Sequence, residues 1–167
     1  MSRLFLLRHA KAAWAQPGMR DFDRPLEASG RTDAETLGAR MAERGYAPER
    51  VLCSTALRAR ETWGGVSRHL GLEDLQVHFE DGLYNSDATG YLAFIRKAGE
   101  AGSLLLIGHN PIMEDLAGAL AGEAGAMASF AAGFPTCGLA VIEFPGNLAT
   151  AAPGEGSLEA FLTPSAV

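Results

Sequence analysis

The sequence LFLLRH at residues 4–9 combines an uninterrupted apolar run with an arginine and a histidine at its end. A short continuous apolar run is typical of a strand that is buried on both faces of a parallel sheet. The same arrangement recurs in LLLIGHNP at residues 104–111, where the apolar run leads to His109. Open α/β sheets carry their functional groups at the carboxyl ends of their strands. We therefore predict that His9 and His109 lie at one edge of a sheet.

A third apolar run, VLC at residues 51–53, leads into Ser54 and then into a helical pattern over residues 56–70. Gly71 follows this pattern, and glycine commonly ends a helix at that position. Arg58 consequently falls in the first turn of the predicted helix. Two arginines and two histidines would then converge, and their spacing matches no metal-binding motif.

Strand and helix patterns alternate along the rest of the chain, which favours an α/β fold with parallel strands. Residues 11–25 contain Pro17, Gly18 and several charges, and they predict a long loop over the strand ends. Residues 145–156 are rich in alanine, glycine and proline and predict a mobile hairpin connection. The further strands are expected at residues 76–79, 138–144 and 158–162, and the further helices from Ser29–Gly30 to about Gly45, over residues 91–98, and from Pro111 or Ile112 onward.

The composition is that of an ordinary globular protein. The 167 residues are 47% hydrophobic and 20% charged, which predicts one domain over residues 1–167. The net charge of −6 disfavours a nucleic-acid or anionic-membrane surface, so positive potential is expected only locally. The apolar run at residues 4–7 is too short for a signal peptide or a membrane span, and a cytoplasmic location is expected. Cys53 and Cys137 show no CxxC spacing and are expected in the core.

The four converging side chains suit phosphoryl transfer, which needs an in-line nucleophile, fixed positive charge and an acid for the leaving group. Arg8 and Arg58 fit the second requirement, because a guanidinium stays charged and its forked donors match phosphate geometry. The start of the helix after Ser54 would add unpaired backbone N–H groups. Either His9 or His109 fits the first requirement, because a neutral imidazole can attack phosphorus and form a phosphohistidine.

The acid is expected in FEDG at residues 79–82, where a carboxyl group with a raised pKa could protonate the leaving group. Each candidate taken alone also has a structural interpretation. A histidine at a strand end is commonly a hydrogen-bonded structural residue, and an arginine at a helix start is commonly solvated. The joint occurrence of Arg8, His9, Arg58 and His109 after three apolar runs favours a functional site.

These residues resemble the motifs of the histidine phosphatase superfamily, also called the phosphoglycerate mutase-like family. LRHA at residues 7–10 is similar to its Arg-His-Gly signature, STALRARET at residues 54–62 to its second motif, and GHNP at residues 108–111 to its third. The order and spacing match, and the resemblance extends from about Ser2 to Phe144. It implies a three-layer α/β/α fold and a reaction that uses no metal or other cofactor.

The resemblance also implies a role for each matching residue. His9 would be the phosphorylated nucleophile, while Arg8, Arg58 and His109 would hold the phosphoryl group. Asp81 best matches the acidic proton donor of the family, and the adjacent Glu80 is the second choice. The chain departs from the family pattern in three places: Ala10 replaces glycine, Thr55 replaces proline, and the donor is an aspartate instead of a glutamate.

The short chain, together with DRPL at residues 23–26 and LY at residues 83–84, is similar to the SixA-type branch, whose members are regarded as protein phosphohistidine phosphatases. This implies an open site that admits a phosphorylated substrate, including a phosphohistidine carried by a protein. Lys11 and Arg24 on the long loop could contact that substrate. The alternatives are a phosphatase of small phosphomonoesters and a non-catalytic module that binds phosphorylated ligands.

Overall fold

The fold is built on one six-stranded sheet. The computed structural model describes residues 1–72, 77–122, 130 and 132–165. The strands are β1 (Ser2–Arg8), β2 (Arg50–Ser54), β3 (Val77–Glu80), β4 (Ser103–Gly108), β5 (Leu139–Phe144) and β6 (Ser157–Leu162). Their spatial order is β3-β2-β4-β1-β5-β6. Five strands run in one direction and β5 runs against both of its neighbours, which confirms the predicted α/β fold with a mostly parallel sheet.

Helices cover both faces of this sheet. The helices are α1 (Ala28–Glu43), α2 (Leu57–Leu70), α3 (Gly82–Asn85), α4 (Ala88–Lys97) and α5 (Ile112–Ala121). Helices α1 and α2 share a buried apolar cluster with one face of the sheet, and α4 and α5 share a second cluster with the other face. The result is three layers, α/β/α.

Alternation along β1 explains why two cores form. Leu4 and Leu6 belong to the cluster under α4 and α5, whereas Phe5 and Leu7 belong to the cluster under α1 and α2. Successive side chains of a strand point to opposite faces, so a continuous apolar run is needed where both faces are covered. All four side chains are at most 1% exposed. The apolar run LFLL at residues 4–7 therefore specifies a central strand.

The carboxyl ends of the parallel strands meet at one edge of the sheet. Arg8 at the end of β1 lies opposite Gly108 at the end of β4. Ser54 at the end of β2 lies opposite Glu80 at the end of β3. Strand β4 lies between β1 and β2 although it follows both in sequence. The chain thus reverses its winding direction here, at the kind of crevice where open α/β sheets bind ligands.

Residues 11–25 form a loop that is anchored at both ends and contains a 3₁₀ turn, Asp21–Asp23. The backbone N–H of Ala13 donates to the carbonyl oxygen of Pro25 at 2.8 Å. A Cβ atom at Gly30 would lie 2.3 Å from the carbonyl oxygen of Lys11, so only glycine lets the loop approach α1 this closely.

The observed helices differ from the predicted ones in two places. Helix α4 begins at Ala88 and not at residue 91, because the carboxylate of Asp87 caps it by accepting from the N–H of Gly90 at 2.9 Å. The short helix α3, for which no helix was predicted, follows β3. Gln76, predicted to begin the third strand, lies outside the described residues.

Residues 145–156 join the antiparallel strands β5 and β6, which confirms the predicted hairpin connection. This segment contains a 3₁₀ turn, Leu148–Thr150, and the side chain of Leu148 is fully buried. The carbonyl oxygen of Ala151 accepts from Arg96 Nε of α4 at 2.9 Å. Leu148 and Ala151 belong to the same apolar cluster as Tyr91 and Ile95 of α4, so the connection packs against that helix. No helix within the described ranges is both long and apolar enough to span a bilayer.

Candidate active site

His9 follows the last residue of β1 and is 9% exposed. Its Nδ1 lies 2.7 Å from the carbonyl oxygen of Ala10. A carbonyl oxygen can only accept a hydrogen bond, so Nδ1 carries the hydrogen of the neutral ring. The other nitrogen, Nε2, is consequently unprotonated and has a free lone pair.

The charge state of His9 follows from its surroundings. Burial is the main cause that lowers the pKa of His9 to about 4; the hydrogen bond to Ala10 opposes this shift, and the charges of Arg58 and Arg8 add to it. The imidazole is therefore neutral at neutral pH, which is the form that can act as a nucleophile.

His109 follows β4 and lies beside His9, with 5.1 Å between the two ring centroids. Its Nε2 is 2.8 Å from the hydroxyl oxygen of Ser54, at the end of β2. Its backbone N–H donates to the hydroxyl of Tyr91 at 3.2 Å. Burial, followed by the neighbouring His9, lowers the pKa of His109 to about 3. The three strand ends thus deliver two neutral imidazoles to one place.

Arg8 supplies fixed positive charge next to these rings. Its Nη1 donates to the carbonyl oxygen of Phe134 at 2.8 Å, which orients the guanidinium. Its Nε and the Nδ1 of His109 are buried, and neither finds a hydrogen-bond partner among the described residues. An unpaired buried polar group costs about 1–3 kcal/mol. A phosphoryl oxygen is an acceptor that would satisfy the N–H of Arg8 Nε.

Arg58 lies in the first turn of α2, and its side chain is 9% exposed. Its Nη1 donates to the carbonyl oxygen of Asp21 at 2.9 Å, and its Nη2 donates to the carboxylate of Asp21 at 3.1 Å. That carboxylate also accepts from the hydroxyl of Tyr84 at 2.7 Å. The ring of Tyr84 packs edge-on against His109, with 5.6 Å between the centroids. Arg58 is therefore held at the same site as the two histidines.

Asp81 and Glu80 occupy different environments. The carboxylate of Asp81 accepts from the hydroxyl of Thr55 at 2.6 Å, and Thr55 directly follows the serine that binds His109. Glu80 instead lines a separate cavity of about 230 Å³ together with Phe94 and Lys97. The geometry therefore favours Asp81 over Glu80 as the carboxyl group at the site.

Lys11 and Arg24, the two loop residues predicted to contact substrate, are placed differently. The ammonium of Lys11 lies 3.5 Å from the carboxylate of Glu27, at the start of α1, and it is largely exposed. Arg24 donates to the carboxylate of Asp21 at 3.0 Å, and its charge contributes to lowering the pKa of His9. The structure thus brings Arg24 to the rim of the site and directs Lys11 to Glu27.

The chain matches the family model described as histidine phosphatase superfamily (branch 1) over residues 4–92. The chain belongs to this superfamily. A protein of Mycobacterium tuberculosis H37Rv described as uncharacterised is 35% identical over 163 residues, covering 95% of this chain and 99% of the relative. The matched residues include the motifs at residues 7–10 and 54–62, which supply Arg8, His9 and Arg58 to the site described above.

Comparison with solved structures of histidine phosphatases identifies the branch of the superfamily that this chain resembles. A protein of Agrobacterium tumefaciens assigned as the phosphohistidine phosphatase SixA is 40% identical, with a TM-score of 0.87 and coverage of 98% of both chains. A second protein with the same assignment, from Nakamurella multipartita, is 28% identical, with a TM-score of 0.83 and coverage of 99% of this chain and 97% of the other. The prediction of a SixA-type histidine phosphatase is confirmed.

The donors of this histidine phosphatase site are arranged for an anion. Arginine guanidinium groups and neutral imidazoles surround one position, and a metal ion would be repelled by the two cations. Across the described residues, no three side chains of histidine, cysteine, aspartate or glutamate group closely enough to hold a metal ion. The two cysteines, Cys53 and Cys137, are fully buried as predicted, and burial raises the pKa of the Cys137 thiol to about 12.

Four residues of the site were missed by the sequence analysis. Ser54 orients His109, Tyr84 packs on it, and Asp21 pairs with Arg58. Thr62 accepts from the N–H of Ala10 at 3.0 Å and donates to the carbonyl oxygen of Arg58 at 2.7 Å, which joins the His9 loop to α2. Ser54, Thr62 and Tyr84 lie inside the quoted motifs, which was the available signal. Asp21 lies in a charged loop and carried no such signal.

Proposed function

We propose that this protein is a phosphatase that acts through a phosphohistidine intermediate on His9 and removes phosphate from phosphohistidine carried by proteins. The hydrogen bond from His9 Nδ1 to the carbonyl oxygen of Ala10 carries this proposal, because it leaves Nε2 free to attack phosphorus. Neutral His9 needs no additional base to remove a proton before attack. Water would hydrolyse the phosphorylated His9 in the second half of the reaction.

The surrounding groups take the roles that phosphoryl transfer requires. Arg8 and Arg58 would bind the phosphoryl oxygens, since preorganised cations stabilise the negative charge that spreads over them in the transition state. His109 would donate a further hydrogen bond, with Ser54 fixing its ring at 2.8 Å. Asp81 would protonate a poor leaving group, and Arg24 would contact the substrate at the rim.

Two observations support a substrate on a protein over a small metabolite. The Agrobacterium and Nakamurella structures, each matched over nearly its whole length, belong to proteins assigned as phosphohistidine phosphatases. The loop beside the site also presents Trp14, which is 85% exposed. An exposed tryptophan beside a binding site is a typical contact for a protein partner. Hydrolysis of small phosphomonoesters at the same site is the second candidate, because Asp81, held by Thr55 next to Ser54, would protonate the oxygen leaving group of an ester.

The test compares kcat/KM for a phosphohistidine-bearing protein domain with that for p-nitrophenyl phosphate and a panel of phosphomonoester metabolites, with a chelator present. A strong preference for the phosphohistidine domain supports the proposal. A preference for one metabolite would keep the catalytic site and move the function to that ester. Tight phosphate binding without any turnover would instead indicate a binding module.

The matched control is His9→Ala, which removes the nucleophile and leaves both arginines in place. Its turnover should fall to background on every substrate, because no other neutral imidazole has its Nδ1 fixed by a carbonyl oxygen among the described residues of the site. Alkaline quenching of the wild-type enzyme during turnover should trap phosphate on His9, because a phosphohistidine is stable to alkali and labile to acid. The same enzyme quenched in acid should therefore retain no protein-bound phosphate. Near wild-type rates in a clean His9→Ala preparation would refute the mechanism.

A further inference from the structure

Asp21 places a carboxylate at a site that is otherwise built for anions. Its Oδ2 accepts from the hydroxyl of Tyr84 at 2.7 Å and from Nη2 of Arg58 at 3.1 Å. Its Oδ1 accepts from Nη1 of Arg24 at 3.0 Å. The hydrogen bond from Tyr84, followed by those from the arginines, holds the pKa of Asp21 well below its usual range. Asp21 is therefore ionised at neutral pH, and half of its side chain is exposed.

This carboxylate lies within electrostatic reach of the reacting groups. Its negative charge opposes the lowering of the pKa of His109, and Tyr84 joins it to the His109 ring. Because Tyr84 and Arg24 each hold one of its two oxygens, Asp21 keeps its place when Arg58 turns a donor to a phosphoryl group. A fixed anion so close to a bound phosphate weakens phosphate binding, because like charges repel each other strongly at a partly buried site. A favourable interaction between Asp21 and another part of the substrate would offset this repulsion.

The leaving group of a phosphohistidine can make such a favourable interaction. In the transfer to His9, the lone pair of Nε2 forms the new P–N bond, and the old P–N bond breaks with its electron pair remaining on the substrate nitrogen. A proton on the far ring nitrogen of the substrate stays there, so the imidazole leaves as a neutral molecule. A carboxylate that accepts from this far N–H stabilises the protonated, labile form of the substrate. The alcohol of a phosphomonoester has no such N–H, and developing negative charge on its oxygen would be repelled.

We propose that Asp21 determines the specificity of this site by accepting a hydrogen bond from the leaving imidazole of phosphohistidine and by disfavouring dianionic phosphomonoesters. This inference rests on the proposed function. It assigns to Asp21 a task different from that of Asp81, which would donate a proton to an oxygen leaving group. The two carboxylates then serve two classes of substrate, and only Asp21 lies on the long loop between β1 and α1.

The test measures kcat/KM of Asp21→Asn on free phosphohistidine and on p-nitrophenyl phosphate. The rate on phosphohistidine should fall by about 10- to 100-fold, the range expected for the loss of one hydrogen bond to a charged group. The rate on p-nitrophenyl phosphate should rise, because the carboxylate no longer repels the negative charge that develops on the leaving oxygen. Inorganic phosphate should inhibit the variant at lower concentration than the wild type, because an opposing negative charge has been removed.

Asp23→Asn is the matched control, because Asp23 lies in the same 3₁₀ turn and pairs with Arg20 at 2.9 Å, outside the site. It should leave both rates and phosphate inhibition unchanged. If Asp21 only positioned Arg58, both rates would fall together and phosphate would bind more weakly, which would overturn the inference. An unchanged ratio of the two rates would overturn it as well. Failure of the proposed function gives a different result, in which the wild type does not hydrolyse phosphohistidine at all.

Discussion

The protonation state of His9 is the first property of the site that a single measurement can check. Burial lowers the pKa of this ring from an ordinary value of 6.5 to about 4, so the ring stays neutral until the pH falls to about that value. Because the neutral ring is the nucleophile, activity should persist above that pKa and be lost as the pH falls through it. The pH profile of kcat/KM should therefore have an acid limb near pH 4 that is caused by protonation of the enzyme.

Two substrates with different ionisations separate this limb from that of the substrate, since only the limb of the enzyme is common to both profiles. In parallel, ¹H–¹⁵N correlation spectra of the ring nitrogens, assigned with His9→Ala, should show Nδ1 protonated and Nε2 bare from pH 8 to about 5. Half-loss of activity near pH 6.5 with both substrates would show that the ring is more solvated than the structure indicates.

Asp81 can be tested by varying the leaving group. An alkyl phosphate needs a proton on its departing oxygen, whereas an imidazole protonated beforehand does not. Asp81→Asn should therefore lower kcat/KM on an alkyl phosphate by about 10²-fold or more, the contribution typical of general acid catalysis, and should affect phosphohistidine much less. Steady-state rates on the two substrates measure the difference.

Glu80→Gln serves as the control for Asp81→Asn, because Glu80 is adjacent in sequence and faces the separate cavity beside Phe94. It should change neither rate. Equal losses on both substrates in Asp81→Asn would indicate that Asp81 acts on the site through Thr55. The hydroxyl of Thr55 donates a hydrogen bond to the Asp81 carboxylate at 2.6 Å.

Sequence patterns predict the residues of this site better than they predict its hydrogen bonds. Arg8, His9, Arg58 and His109 could be found because each lies just beyond an apolar run or in the first turn of a helix. Asp21 could not, because its partner Arg58 is 37 residues away in sequence and only the folded loop brings the two together. The tautomer of His9 likewise depends on the direction of the Ala10 carbonyl group, which no pattern of residue types encodes.

At the scale of elements, the packing of α1 on α2 depends on glycine. A Cβ atom at Gly38 of α1 would lie 2.6 Å from the carbonyl oxygen of Val66 in α2, whereas one at Gly64 of α2 would have no neighbour within 4 Å. Gly38→Ala should therefore destabilise the protein by about 1–3 kcal/mol, as overpacking typically does. Gly64→Ala should stabilise it by about 0.5–1 kcal/mol, because alanine is the better helix former.

Urea unfolding of both variants measures these free energies, and each serves as the control for the other because both positions lie inside helices. The gain in helix propensity is the same, so the difference isolates the close approach of the two helices. A stabilising Gly38→Ala would mean that α1 and α2 lie further apart than described.

The elements themselves were predictable where one pattern dominates. The central strands follow from continuous apolar runs, and α1 follows from Ala34, Leu37, Gly38 and Met41, all buried on one face. Helix α3 was missed because four residues are too few to show a helical period. The packing of residues 145–156 was missed because it depends on Arg96 of α4, which only the tertiary fold places within hydrogen-bond distance of that segment.

At the scale of the whole molecule, a net charge of −6 coexists with a cationic site. The long loop contributes both kinds of charge to the rim, where the ion pair between Arg24 and Asp21 balances them locally. Long-range attraction therefore contributes little to the binding of a protein substrate, and short-range contacts at the rim must supply the affinity. Trp14 is the most exposed of the described aromatic side chains and is anchored beside this rim, with the guanidinium of Arg24 5.9 Å from its ring.

Truncating Trp14 should accordingly separate protein-borne substrates from small ones. Trp14→Ala should lower kcat/KM for a phosphohistidine-bearing domain by about 10-fold, a loss typical of an aromatic hot spot, through a higher KM. The rates on free phosphohistidine and p-nitrophenyl phosphate should stay unchanged, because the side chain is 85% exposed and contributes little to the fold. Trp14→Tyr retains an aromatic surface and should recover most of the loss. If Trp14→Ala leaves the rate on the domain unchanged, the protein substrate must bind through another part of the rim; if all three rates fall together, Trp14 supports the catalytic loop and not the partner.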